Sequence, residues 1–439
     1  MMPLKSWKLL LVACGVLLIS TVAWGWADQV YQDKTFIQSD HPAIQYSEGP
    51  LNDPITLLGK KLESGTAKLE PRPEAPGYLL GILKSLDINP DSQVMVFSKT
   101  SFQAALISPK NPRALFFNDD NYIGYVRGSD VLEGVSVDPR QGPIFYTFDQ
   151  RWEKPGFLRR DVCMQCHNSD TSSNGVPGLM VASVFPDAEG MPAFRGAQAL
   201  TDDRTRFEER WGGWYVSGTH GDQRHRGNAV GHDRQHPDVL DTAGTQNLIS
   251  LARKFEPTSY PAAVSDIVAL MTLEHQCRMT NLFIRVGWQE RIAEHDHADA
   301  AARAQIDAGI DAIATYMLFA EAAPLLDEVQ GVSTFSKTFP ARGPLDTKGR
   351  TLREFDLKTR LFKYPLSYMI YSRAFDALPD YVREGVYRRL YEVLTGKDQN
   401  PKFAKLSAED RRNVLEIVRE TKRGLPAYWR EPVAPVAGE

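Results

Sequence analysis

Only four cysteines occur in 439 residues, and two of them stand two positions apart with a histidine directly behind: Cys163-Met164-Gln165-Cys166-His167. So few cysteines in so long a chain exclude a disulfide-stapled scaffold. Stability must come from an apolar core, and 42% apolar with 24% charged residues is ordinary globular composition in a chain long enough to bury one. Lys plus Arg (51) nearly balances Asp plus Glu (55), so a dedicated nucleic-acid surface is not expected.

The chain opens with Lys5 and Lys8 ahead of an uncharged, mostly apolar run over residues 9–26, the order of a secretory signal. Gly25 and Ala27 supply small residues for a cut before Asp28. Two other readings stay open. The run is just long enough for an uncleaved membrane anchor, and Leu11-Val12-Ala13-Cys14 resembles a lipobox, although the apolar run continues past Cys14. All three place the body of the protein in the periplasm or on the outer face of the cytoplasmic membrane, with membrane contact only through an anchor or lipid.

Residues 28–76 read as a polar segment with a short helix over 54–62 and a proline-rich linker over 70–76. In residues 77–150, the runs 94–97, 114–117, 122–126 and 144–148 are aromatic and β-branched, separated by Asn, Asp, Gly and Pro. They predict a small antiparallel sheet. Residues 151–240 carry the Cys/His motif in aperiodic, Gly-, Asp-, Arg- and His-rich chain. Residues 241–430 turn helical, with helices expected over 269–285, 301–319, 355–362, 368–378, 380–394 and 408–422. Ser407 followed by Asp410 has the form of a capping box, and Gly424 that of a helix stop. Residues 431–439 read as a frayed tail. The expected class is α+β: a small sheet region, an irregular segment bearing the motif, and a mostly helical C-terminal half.

Cys-x-x-Cys-His is the spacing of covalent c-type haem attachment. The two thiols add to the haem vinyl groups and the adjacent histidine is carried under the iron. A zinc half-site would want a second Cys or His pair, and no second CxxC exists; a redox dithiol would want a βαβ context, which the flanks do not supply. The expectation is one haem c, held by Cys163 and Cys166 with His167 as proximal iron ligand. Over this pentapeptide the sequence resembles the c-type cytochromes. The runs Arg210-Trp211-Gly212-Gly213-Trp214-Tyr215-Val216-Ser217-Gly218-Thr219-His220 and Asp356-Leu357-Lys358-Thr359-Arg360-Leu361-Phe362 are similar to those of exported bacterial proteins with a single CxxCH, described as cytochrome c domain proteins. That likeness covers most of the mature chain and implies haem attachment alone.

The sixth iron position separates electron transfer from chemistry. The distal candidates are His220, Met279, His225 and His275, in that order. His220 and His225 belong to a cluster with His232 and His236, while Met271, His275 and Met279 fall on one face of a helix. Met180 and Met191 sit in loops suited to ordinary packing. His232 and His236 also stand at metal-pair spacing, without a third ligand. Arg159, Arg160, Arg210 and Arg224 could fork onto haem propionates or serve as surface charges. Cys277 reads as a buried, inert thiol. The expected function is an exported mono-haem cytochrome exchanging electrons with a redox partner protein or small molecule in the bacterial envelope. The alternatives are a peroxidase- or oxidase-like haem enzyme with an open distal site, and a haem-bearing sensor whose recognition unit is the sheet.

Overall fold

Short aromatic and β-branched runs are what a pleated, half-buried surface selects, and they build the N-terminal region of this α+β protein. The computed structural model describes residues 39–71, 77–151, 153, 155–168, 175–193, 199–233 and 235–431. Residues 1–38, which include the expected export segment, residues 72–76 of the expected linker and the tail beyond 431 lie outside them. Strands β1 (Val94–Val96), β2 (Arg113–Phe117), β3 (Asn121–Val126), β4 (Val131–Asp138), β5 (Gly142–Asp149), β6 (Phe157–Arg159) and β7 (Trp214–Tyr215) form a seven-stranded sheet. Its order is β6-β5-β4-β3-β2-β1-β7, with every pairing antiparallel.

One face of this sheet carries Ile123, Gly134 and Tyr146, and is covered by helix α1 (Pro54–Glu63). Tyr146 donates to Asp53 at 2.8 Å, and a Cβ on Gly134 would lie 3.0 Å from Ile55. The other face carries Tyr122, Val135 and Phe145 in register and turns toward the long helix α4 (Ile267–His295). Asp266 caps α4 through the N–H groups of Val268 and Ala269, at 2.8 and 3.1 Å. The same carboxylate accepts the N–H groups of Val332 and Ser333, both at 2.8 Å.

Helix α4 is buried along most of its length and on all sides, so its polar side chains must find partners inside the protein. Gln276 does so by bridging the two halves. Its Nε2 donates to Asn118 O at 2.7 Å and Tyr122 Oη at 2.6 Å, while its Oε1 accepts from Tyr368 Oη at 2.7 Å. Around α4 pack α5 (Ala300–Met317), α6 (Phe335–Ala341), α7 (Arg373–Asp376) and α8 (Asp380–Leu394). The last helix, α9 (Ala408–Thr421), packs on α8 and has both arms of the Ser407–Asp410 capping box.

Two expected helices change. Residues 355–362 form a turn closed by a Phe355–Phe362 bridge rather than a helix. Asp356 binds the N–H groups of Lys358 and Thr359, Leu357 adopts φ 61°, and the two Phe rings stack at 5.3 Å. The helix expected over 368–378 is cut at Ser372, whose Oγ caps α7. In the Arg210–Trp214 run, Trp211 and Gly213 adopt φ 69° and 87°, and a Cβ on Gly212 would lie 2.1 Å from Val184 O, so the glycines are required for a tight reversal.

Gln276→Leu strands the Asn118 carbonyl and two tyrosine hydroxyls in the interior. The expected loss is about 2–4 kcal/mol, at roughly 1–3 kcal/mol per unsatisfied group with partial relaxation, measured by denaturant unfolding. A loss within about 0.5 kcal/mol, the range of ordinary surface substitutions, would contradict this bridging role.

Candidate functional site

Edge strand β6 leads directly into the Cys/His motif. Asp161–Cys163 makes a 3₁₀ turn and Met164–His167 (α3) continues it as a single α-helical turn. On this rise Cys163 is half-buried, Cys166 is exposed, and His167 comes next in the chain. The His167 ring lies 4.6 Å from that of Phe145, placing it on the α4 side of the sheet. Its Nδ1 is 2.8 Å from Gly178 O. A carbonyl can only accept, so Nδ1 carries the proton and the ring's lone pair resides on Nε2.

Gly178 is held by its neighbour. Leu179 N–H donates to Asn281 Oδ1 at 2.9 Å, and Asn281 Nδ2 donates back to Leu179 O at 2.7 Å. This amide on α4 behaves like a strand partner for the segment that orients His167. No motif points to Asn281; the only sequence signal is an amide four residues after Cys277 in an otherwise apolar helical face.

On the same sheet face, Glu133 lies opposite Thr147 and pairs with Arg113 at 2.7 Å. Burial lowers the basicity of His167, and Arg113 adds to this. Burial and then Glu133 push the Cys163 thiol up. Arg160 donates to Thr147 Oγ1 at 2.8 Å, and Arg159 binds Tyr46 O at 2.7 Å, so both flanking arginines already have partners.

The donor set fits a covalently attached haem. A half-buried thiol, an exposed thiol and an imidazole whose Nδ1 faces a carbonyl stand on consecutive turns, and the backbone bond on Nδ1 is the usual support for a metal-binding ring.

The distal candidates are not gathered at His167. His220 is buried, with Nδ1 donating to Gln223 O at 2.8 Å and Nε2 accepting from Asn247 N–H at 3.1 Å. His275 is buried between Asp203 Oδ2, 2.6 Å from Nδ1, and Ser367 Oγ, 2.7 Å from Nε2. Neither ring keeps a lone pair for iron. Met279 is fully buried on α4, two residues from Asn281 and thus roughly 160° around the helix from it. His225 packs against Trp211, Phe207 and His220, and its Nδ1 lies near Gly227 without a hydrogen bond. His232 and His236 are exposed on separate partners, Asp241 and Asp233. Met180 is half-buried two residues after Gly178, and Met191 is exposed.

Arg210 is committed to Glu274 at 3.0 Å, both fully enclosed, while Arg224 is exposed. Burial raises the Glu274 carboxyl to about 7 despite that arginine. Cys277 is buried, and burial with Glu274 nearby pushes its thiol up. Asp203, His275 and Ser367 stand in the order of a hydrolase triad, but Ser367 is fully buried and its Oγ also accepts Met369 N–H at 3.2 Å, so the chain serves packing. Asp203 also borders a cavity of about 230 Å³ lined mainly by apolar groups such as Met271, Phe319, Leu325 and Phe362.

No family model, curated protein or solved structure matches this chain.

Two measurements check this geometry. Asn281→Leu removes both bonds to Leu179 and is expected to cost about 2–3 kcal/mol in denaturant unfolding, whereas an unchanged midpoint would show that Asn281 does not clamp the segment. Burial, reinforced by His220, pulls His225 down from 6.5 to about 3. His167 and His220 are also lowered by burial. Between the two His225 values the unfolded chain binds the proton and the folded chain does not, so stability is full above about 6.5 and falls as pH drops toward 3. Replacing His225 by Phe should flatten the fall of melting temperature over that range; an unchanged slope would remove His225 as a cause.

Proposed function

We propose that this chain is an exported mono-haem c-type cytochrome that transfers electrons in the bacterial cell envelope. The observation that carries the reading is the His167 tautomer: Nδ1 is bound to Gly178 O at 2.8 Å, directly after a turn that presents Cys163 and Cys166. Cys163 and Cys166 would hold the haem by thioether bonds and His167 would be its proximal ligand, supplying a one-electron couple. Within the chain, the Gly178 carbonyl keeps the His167 ring oriented, Asn281 keeps that carbonyl in place, and Phe145 excludes water from one side of the ring. The partner is a redox protein or small electron carrier.

A second reading, a haem enzyme with an open distal site formed by the loop of His220 to His236, would draw on that loop's imidazoles: both His220 nitrogens are hydrogen-bonded within the fold, His232 and His236 face Asp241 and Asp233, and His225 is buried with its Nδ1 unbonded. The optical spectrum separates the two. Protein made with c-type maturation machinery should give a low-spin, six-coordinate spectrum that peroxide and cyanide leave unchanged, and one haem per chain in the pyridine haemochrome assay. The double variant Cys163→Ala with Cys166→Ala should lose covalent haem. A high-spin spectrum shifted by cyanide would favour the enzyme, and covalent haem retained by the double variant would overturn both readings.

A further inference from the structure

The C-terminal end of α4 holds a second cluster of ligating side chains, remote in sequence from the Cys/His motif. His41 and Asp296, 255 residues apart, meet with His41 Nε2 3.1 Å from Asp296 Oδ2. His295 Nδ1 lies 2.7 Å from the other oxygen, Oδ1. The two imidazoles stand edge to face with centroids 5.3 Å apart. One donor atom from each of the three side chains falls within 4.8 Å of the others, and among the described residues no other trio of His, Cys, Asp or Glu does so. His41 is pinned locally, since its carbonyl accepts the N–H groups of Ile44 and Gln45 at 2.8 and 2.9 Å.

We propose that His41, His295 and Asp296 bind one divalent transition-metal ion of the zinc class. Two imidazole nitrogens and one carboxylate oxygen suit such an ion. Calcium and magnesium favour all-oxygen shells, and copper(I) favours sulfur. The site lies at the negative end of the α4 dipole, which adds attraction for a cation. The Asp296 and His295 side chains are 47% and 50% exposed, so water completes the shell and the ion enters without opening the fold.

Binding rearranges protons without an external reagent. His41 Nδ1 accepts Ala43 N–H at 3.2 Å, so Nε2 carries the proton that faces Asp296. On metal binding Nε2 gives up that proton, Nδ1 takes one, and the long Ala43 bond is released. His295 likewise exchanges its Nδ1 proton for one on Nε2. The bound ion would then tie the segment around His41 to the end of the helix that also clamps the Cys/His motif.

The test is calorimetric titration of the chelator-treated, full-length exported protein with zinc chloride. One zinc per chain is expected. His41→Gln, His295→Gln and Asp296→Asn should each weaken binding by at least about tenfold, the lower bound for losing even an outer-shell partner. His236→Gln, away from the site, should bind as wild type does. Zinc should also raise the melting temperature of the wild type and not of His41→Gln. Absence of binding, binding indifferent to His41 and His295, or binding lost in His236→Gln would each overturn the proposal.

Discussion

The polar side chains of one buried helix hold this protein together. A helix immersed on all sides gains apolar burial everywhere, but each amide or charge on it costs stability unless a partner is supplied. On Ile267–His295 several of these groups reach other segments of the chain. Asp266 at its start holds residues 332 and 333, Glu274 holds Arg210, and His275 joins Asp203 to Ser367. Gln276 joins the sheet to Tyr368, and Asn281 holds Leu179. The helix thus sets the register between the sheet, the irregular middle segment and the C-terminal helices.

The candidate haem site is one consequence. The middle segment has few regular elements, yet Gly178 is fixed because Leu179 pairs with Asn281, and His167 is fixed because Gly178 accepts its proton. The support for the imidazole therefore runs from α4 through backbone, not through a dedicated side chain near the motif. The histidines that looked available in the sequence serve the same economy: His220 and His275 act as two-ended connectors within the core.

Much of this was legible in the chain. Four aromatic runs located β1, β2, β3 and β5, and the period of 380–394 matched α8 residue for residue. Strand β4 was not legible, because Glu133, Gly134 and Ser136 have low strand preference and its pairing on both sides compensates. Nor was β7, whose two residues join the sheet only because a tight reversal at Gly212 and Gly213 delivers them beside β1. The helix expected at 355–362 failed because Asp356 captures local N–H groups, a competition that apolar spacing does not reveal. At the site, the pentapeptide named Cys163, Cys166 and His167, whereas Gly178, Phe145 and Asn281 become visible only when distant segments meet.

The central claim is that Cys163 and Cys166 carry a haem. Intact-mass spectrometry under denaturing conditions, on protein exported from cells with c-type maturation machinery, tests it most directly. The account predicts a species heavier than its polypeptide by one haem, with the added mass mapping to the peptide that contains Cys163 and Cys166. A polypeptide mass with no addition, from cells that mature a control cytochrome normally, would contradict it.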